Sequence, residues 1–365
     1  MSEQAIPDKT AINDIRMGNA FKGISFSTYK LTEVRKQFIE NMNKGKIEPA
    51  CYWCAELICS GHYPELWECI FYFVGKYIHI GNPKIAIYLE RRYDVFKNIM
   101  HQRHFNIELD LRNNSTIRTM FAEIVVVLSQ STKKPSFETI KIDREEEFDM
   151  TVIKERFKAT DTSFAQTVFD TKDDPKELFI AINEFAYHVG GPKPNMQESC
   201  YWIEWVIEFD LICRKRKQKC KCKRRVGNVE SKYQCDSIWL VWDVLLYYCD
   251  AKPNPEYIKT LMTSLRELFC AKYSLGTSKK RKYLLYFAVE LLTEHVPTNV
   301  DLVGNKEVLQ TVISKIHDIY KQIKKEEISP KTEYLFKDTK STNLENSIAK
   351  MNMLTDMDFV PRKDP

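Results

Sequence analysis

The chain has 365 residues, 44% of them hydrophobic and 12% aromatic, enough to bury the core of two ordinary domains or of one large helical one. That content excludes global disorder, and 11 glycines and 14 prolines, clustered between apolar stretches, argue against a turn-rich sandwich of short strands. The net charge of +5 is unevenly spread: residues 214 to 225 hold nine Lys or Arg and no acid, so the remainder is net acidic and a uniformly basic nucleic-acid wrapper is excluded.

The opening MSEQAIPDKTAINDIRMG is charged throughout and lacks the apolar stretch of a secretory signal. The longer apolar runs, such as Cys69 to Val74 and Ile124 to Leu128, fall far short of the ~20 residues that span a bilayer. A soluble, intracellular chain is expected, whose 11 cysteines are reduced and act as core residues or metal ligands.

Residues 1–26 read as a loose arm. From Ser27 the pattern turns helical, with Leu31, Val34, Phe38, Ile39 and Met42 on one face. Pro49 opens a second helix through CYWCAELICSG, His62-Tyr63-Pro64 introduces a third, and Gly81-Asn82-Pro83 ends it and starts a fourth to about Met100. After the polar bend Arg112-Asn113-Asn114 comes a fifth, with Met120, Phe121, Ile124 and Val127. Residues 133–174 are charged and irregular and read as a connector.

Helical periodicity resumes at Pro175, breaks at Gly190-Gly191-Pro192, and restarts in CYWIEWVIEFDLIC. It stops in the basic segment and returns at SIWLVWDVLLYYC. Asn254-Pro255 opens a helix to about Tyr273, followed by KKRKYLLYFAVELLTEH and a last helix from about Asn305 to Lys324. From Glu326 the composition is polar with scattered apolar anchors, as in a tail that lies over a neighbour.

Three landmarks recur in order. Cys51-Tyr52-Trp53 returns as Cys200-Tyr201-Trp202, Asn82-Pro83 as Asn254-Pro255, and Phe121-Ala122 as Phe287-Ala288, at offsets of 149, 172 and 166 residues; Trp67 maps onto Trp239. The jump in offset matches the length of residues 213–235. An all-α fold of two diverged helical repeats is therefore expected, 27–132 and 175–325, joined by the 133–174 connector and flanked by the 1–26 arm and the 326–365 tail. The basic segment 213–235 is an insertion in the second repeat. Coincidence among common helical words is the competing account of the matches.

Four thiols in that insertion, Cys213, Cys220, Cys222 and Cys235, are candidate ligands for a tetrahedral zinc ion, and neighbouring cations favour the thiolates that such a site needs. Their C-x6-C-x-C-x12-C spacing is not the usual pair of C-x2-C knuckles, and free loop thiols are the alternative. Cys51, Cys54, Cys59 and His62 lie along one helix face, which cannot wrap a metal, so core packing is expected there. Arg214, Lys215, Arg216, Lys217, Lys219, Lys221, Lys223, Arg224 and Arg225 are candidate contacts for an acidic protein face or for phosphates; no aromatic residue interleaves them for base stacking. Tyr334, Phe336 and Phe359 are candidate anchors of the tail on a partner. The clusters around Trp53, Trp67, Trp202, Trp205, Trp239 and Trp242 fall at helical spacing and are expected in the core or between the repeats. No phosphate-loop, dinucleotide, nucleophile-elbow or zinc-protease motif occurs, His188 has no partner set by any motif, and Glu145-Glu146-Glu147 sit in the connector. A non-enzymatic protein with no certain cofactor is expected.

The stretches CYWCAELICSGHYPELW, DDPKELFIAINEFAYH, SCYWIEW and KKRKYLLYFAVELLTEH resemble a protein family of large nucleocytoplasmic DNA viruses of the chlorella-virus and mimivirus-like groups. The likeness spans roughly residues 45 to 297 and carries no catalytic motif. It implies synthesis in host cytoplasm and a place in the virion. By association with other non-enzymatic proteins of such viruses, it implies a minor capsid protein contacting other capsid proteins, with a nucleic-acid-associated transcription or packaging factor as the alternative.

Overall fold

The computed structural model describes residues 8–102, 108–136, 138–144, 148, 150–217, 220–328, 348 and 351. Among them the fold is all-α, with thirteen α-helices and a single isolated bridge between Ile24 and Lys30 in place of any sheet. The first five are α1 (Leu31–Asn43), α2 (Ile47–Cys59), α3 (Tyr63–Phe73), α4 (Ile85–Gln102) and α5 (Ser115–Gln130). A short α6 (Met150–Ile153) precedes α7 (Phe179–Gly190), α8 (Met196–Lys215), α9 (Ile238–Tyr247) and α10 (Pro255–Cys270). The chain closes with α11 (Thr277–Lys280), α12 (Lys282–Thr293) and α13 (Lys306–Ile323). No helix among the described residues is long and apolar enough to cross a membrane.

Local chemistry sets the ends of these helices. Asn114, Asn195 and Asn305 each cap a helix, their side-chain oxygens accepting from Ile117 N at 3.0 Å, Glu198 N at 3.0 Å and Glu307 N at 2.9 Å. Each cap satisfies an amide that the first helical turn leaves without a carbonyl. Pro64 and Pro255 stand at the start of α3 and α10, where a missing N–H costs nothing. Apolar faces follow the helical period, as in α1, which buries Val34, Phe38 and Met42.

The buried apolar residues form one continuous cluster running from Ile12 to Ile323. Within it α1 packs on α2 as α7 packs on α8, and α2 packs on α5 as α8 packs on α12. Between these two sets α4 lies along α10, and α12 meets the turn that follows α3. The landmark pairs fall on helices in the same order: Trp53 and Trp202 on α2 and α8, Trp67 and Trp239 on α3 and α9, Phe121 and Phe287 on α5 and α12.

One expectation needs correction. Residues 8–26 are not a loose arm: Ile12, Phe21 and Phe26 are buried, and the segment is bonded into the body. Arg118, fully buried, donates to Arg112 O at 2.7 Å, Thr10 O at 3.1 Å and Asn113 Oδ1 at 3.0 Å, with its guanidinium 3.8 Å over the Tyr320 ring. His62 Nε2 meets Phe21 O at 3.0 Å and Ile24 O at 2.8 Å. The 133–174 connector is largely irregular and packs on the body. Ala165 and Phe169 are buried, Phe148 stacks on Trp205 at 4.8 Å, and Asn183 Nδ2 donates to Asp161 O at 2.8 Å.

Candidate functional site

The basic insertion begins where α8 runs out. Lys217 adopts a left-handed conformation (φ 57°) at that point, with its N–H bonded to Arg214 O at 3.1 Å, and so turns the chain away from the helix axis. The segment from Cys220 to Gln234 then has little regular structure and few apolar residues, of which Cys222, Val226 and Val229 are buried. Carboxylates hold it in place instead.

Arg225 is the centre of that fastening. Its side chain, 5% exposed, forms a two-pronged bond to the fully buried Asp174, at 2.7 Å on one arm, while its Nε reaches Asp243 at 2.9 Å. Asp174 Oδ1 also accepts Lys223 N at 2.9 Å, and Lys223 Nζ pairs with Asp170 at 2.9 Å. At the other end Arg214 bridges Asp210 at 2.6 Å and Asp236 at 2.9 Å. Burial alone would raise the Asp174 carboxyl, but the Arg225 bond and two backbone amides outweigh it and hold the group below the usual carboxylate range. For Asp236 the balance goes the other way: burial pushes it up to about 6, and Arg214 offsets only part of the rise.

Of the nine expected cation contacts, Arg214, Lys223 and Arg225 are thus spent inside the chain. Lys215, Arg216, Lys217, Lys221 and Arg224 are exposed and form no ion pair with a described residue. Lys219, like Tyr334, Phe336, Phe359 and Glu145 to Glu147, lies outside the described residues. The carboxylates that seat the loop went unrecognised in the sequence, since Asp170 and Asp174 sit some fifty positions upstream in the connector. Only the acidic string in DTKDDPKE hints at them.

The chain matches no family model, no curated protein and no solved structure.

No group of three or more His, Cys, Asp or Glu that could hold a metal ion is found among the described residues, Cys213, Cys220, Cys222 and Cys235 included. Cys213 and Cys222 are buried and Cys220 and Cys235 partly exposed, and Cys235 meets Cys222 through its backbone, its carbonyl accepting Cys222 N at 2.9 Å. Cys222 lowers the Cys220 thiol against the opposing effect of burial, while burial pushes Cys213 up to about 11. The other cysteine string behaves as core: Cys51 and Cys59 are buried, and burial pushes both up to about 12.

Two further places gather polar side chains in or beside the core. A cavity of about 680 Å³ opens between α3, α4 and the 271–281 turn, with Trp67, Phe71, Tyr93 and Phe96 in its wall and Arg35 and Lys280 at its rim. Arg281, also lining it, is consumed by Glu68 at 2.6 Å and by the Leu268 and Phe269 carbonyls at 3.2 and 2.7 Å, so it serves to close the end of α10. His188 is buried on α7, 3.8 Å from Glu184, and burial lowers it toward the neutral form.

Proposed function

We propose that the chain is a non-catalytic interaction protein that docks its cationic loop on an acidic face of a protein partner. In the setting its sequence resemblance implies, it is a minor capsid protein of the virion. The observation that carries this is the division of labour in the loop. Buried and half-buried carboxylates fix Arg214, Lys223 and Arg225, which leaves Lys215, Arg216, Lys217, Lys221 and Arg224 facing solvent on a fastened backbone. Charges presented in this way lose less conformational freedom on contact than charges on a free tail. The continuous core supports a rigid body behind the loop.

We also infer that the body arose by internal duplication. The matched order of helices, the matched packing of α1 on α2 and α7 on α8, and the meeting of α4 with α10 all support this.

Quantitative mass spectrometry of purified particles tests the proposal. A copy number comparable with other minor shell components is expected; absence or trace amounts would overturn it. Purified protein with a 260/280 nm ratio of bare protein is expected as well. Co-purifying nucleic acid would move the loop to a phosphate partner.

A further inference from the structure

The cavity of about 680 Å³ lies where the two sets of helices meet: α1, α3 and α4 supply one side, and the turn from Ala271 to Arg281 supplies the other. Its size falls within the ~300–1,000 Å³ of small-molecule sites, which collect at such junctions. One wall is an assembled aromatic cluster. Trp67 meets Tyr93 edge-on with ring centroids 5.0 Å apart, and lies 5.7 Å from both Phe96 and Phe71. Rings packed against one another in this way keep their places without an occupant, so little order has to be created on binding.

The charge of the lining is lopsided. Arg35, Lys272, Lys280 and Arg281 stand against two acids, Glu65 and Glu68. Glu68 is answered by Arg281 at 2.6 Å, and Glu65 is approached by His62 at 3.9 Å. Arg35 and Lys280, both exposed, form no ion pair with a described residue, and Tyr93 keeps a hydroxyl with no hydrogen-bond partner among them. The turn opposite the rings is held in an unusual form. Lys272 is left-handed (φ 44°), as is Gly276 (φ 86°), and between them Ser274 N–H donates to Thr277 Oγ1 at 2.9 Å. A lysine in that conformation is strained, and strain of this kind collects at ligand clamps.

A ring surface below a surplus of positive charge selects a molecule that is flat and apolar at one end and anionic at the other. A neutral ring gains nothing from the two unpaired cations, and a cationic one is repelled. We propose that this cavity binds a small aromatic anion, its ring against the aromatic wall and its carboxylate or phosphate toward Arg35 and Lys280. The site is separate from the basic loop, none of whose exposed cations lines it.

The full chain can be titrated with 8-anilinonaphthalene-1-sulfonate, an aromatic anion whose emission rises on leaving water. Saturation at about one probe per chain is expected. The same rings without the sulfonate, 1-anilinonaphthalene, are expected to bind at least about tenfold more weakly. Phenyl phosphate and benzoate should both displace the probe, the stronger competitor naming the anionic group. Arg35→Glu combined with Lys280→Glu should weaken the probe at least about tenfold and leave the melting temperature within a few degrees, since both positions are exposed. Replacing Lys215, Arg216, Lys217, Lys221 and Arg224 by Glu should leave binding within about twofold, because these charges lie outside the cavity. No saturable binding, equal affinity for the neutral rings, or failure of both competitors would overturn the proposal. So would loss of binding in the loop variant, or undiminished binding by a folded chain carrying Arg35→Glu and Lys280→Glu. The first three results come from the unaltered chain, so a misfolded substitution does not spare the idea.

Discussion

Arg225 and Asp174 illustrate how a single pair decides the state of a whole segment. Both side chains are almost out of solvent; without Arg225 the Asp174 carboxylate would be a buried charge with no cation, and without Asp174 the Arg225 guanidinium would keep only Asp243 as an ion-pair partner. Asp174→Ala is therefore expected to cost about 3–5 kcal/mol in urea unfolding, whereas Lys221→Ala, at an exposed position, should stay within about 0.5 kcal/mol. The two key acids respond to pH in opposite senses. Asp174 is held below its ordinary value in the folded chain, so its contribution is full at neutral pH and disappears as pH falls through that lowered value. Asp236 is raised to about 6, so the folded state binds its proton more tightly and stability falls as pH rises from about 4 to about 6. Urea midpoints measured across pH should show this: Asp236→Asn removes the fall between pH 4 and 6, and Asp174→Asn lowers the neutral plateau. The cations of this site were plain in the sequence because nine of them stand in twelve residues. Which three turn inward was not: Arg214 has a local i,i+4 partner in Asp210, but the acids that hold Lys223 and Arg225 come from the connector and α9, and pairing at such separation leaves no local pattern.

At the level of elements, helix positions follow from apolar period and from Asn and Pro at helix starts, which is why nearly every expected helix has its counterpart. Asn114→Ala should cost about 1 kcal/mol by leaving the Ile117 amide without its acceptor, read by thermal unfolding. The miss lies after α3. The sequence there still looks helical as far as Gly81, yet the chain widens into a π turn over Val74–Ile78 and then a 3-10 turn over His79–Gly81. A π turn keeps an apolar pattern close to that of an α-helix, so period alone does not reveal it. What requires the change is a close approach: a Cβ on Gly75 would stand 2.7 Å from the Tyr283 carbonyl carbon and 2.9 Å from Leu284 N. Both are backbone atoms of α12 and have little room to yield. Gly75→Ala is expected to destabilise by about 1–3 kcal/mol through overpacking, with no change at the basic loop. An unchanged melting temperature would mean that the two elements can separate.

For the whole molecule, the two ends of the described chain meet. Ile15 N bonds to Ile328 O at 3.2 Å, Lys324 Nζ to Ala11 O at 2.5 Å, and Arg16 Nη2 to Glu326 O at 3.1 Å. Such contacts join residues more than three hundred positions apart, and Ile12, Phe21 and Phe26 are too widely spaced to show a period, so the sequence suggested a free arm where the fold has a seam. With that arm absorbed, the exposed cations of the loop become the main described feature through which the proposed docking can act. Replacing Lys215, Arg216, Lys217, Lys221 and Arg224 by Glu tests this cleanly, because none of the five is bound to a described carboxylate and the fastening by Arg214, Lys223 and Arg225 stays intact. Thermal unfolding of the purified variant should match the parent within a few degrees, since exposed substitutions change stability little. Its copy number in particles should fall at least about tenfold, because five like charges brought against an acidic face repel where they once attracted. Undiminished incorporation by a normally folded variant would show that this loop is not the surface the particle holds.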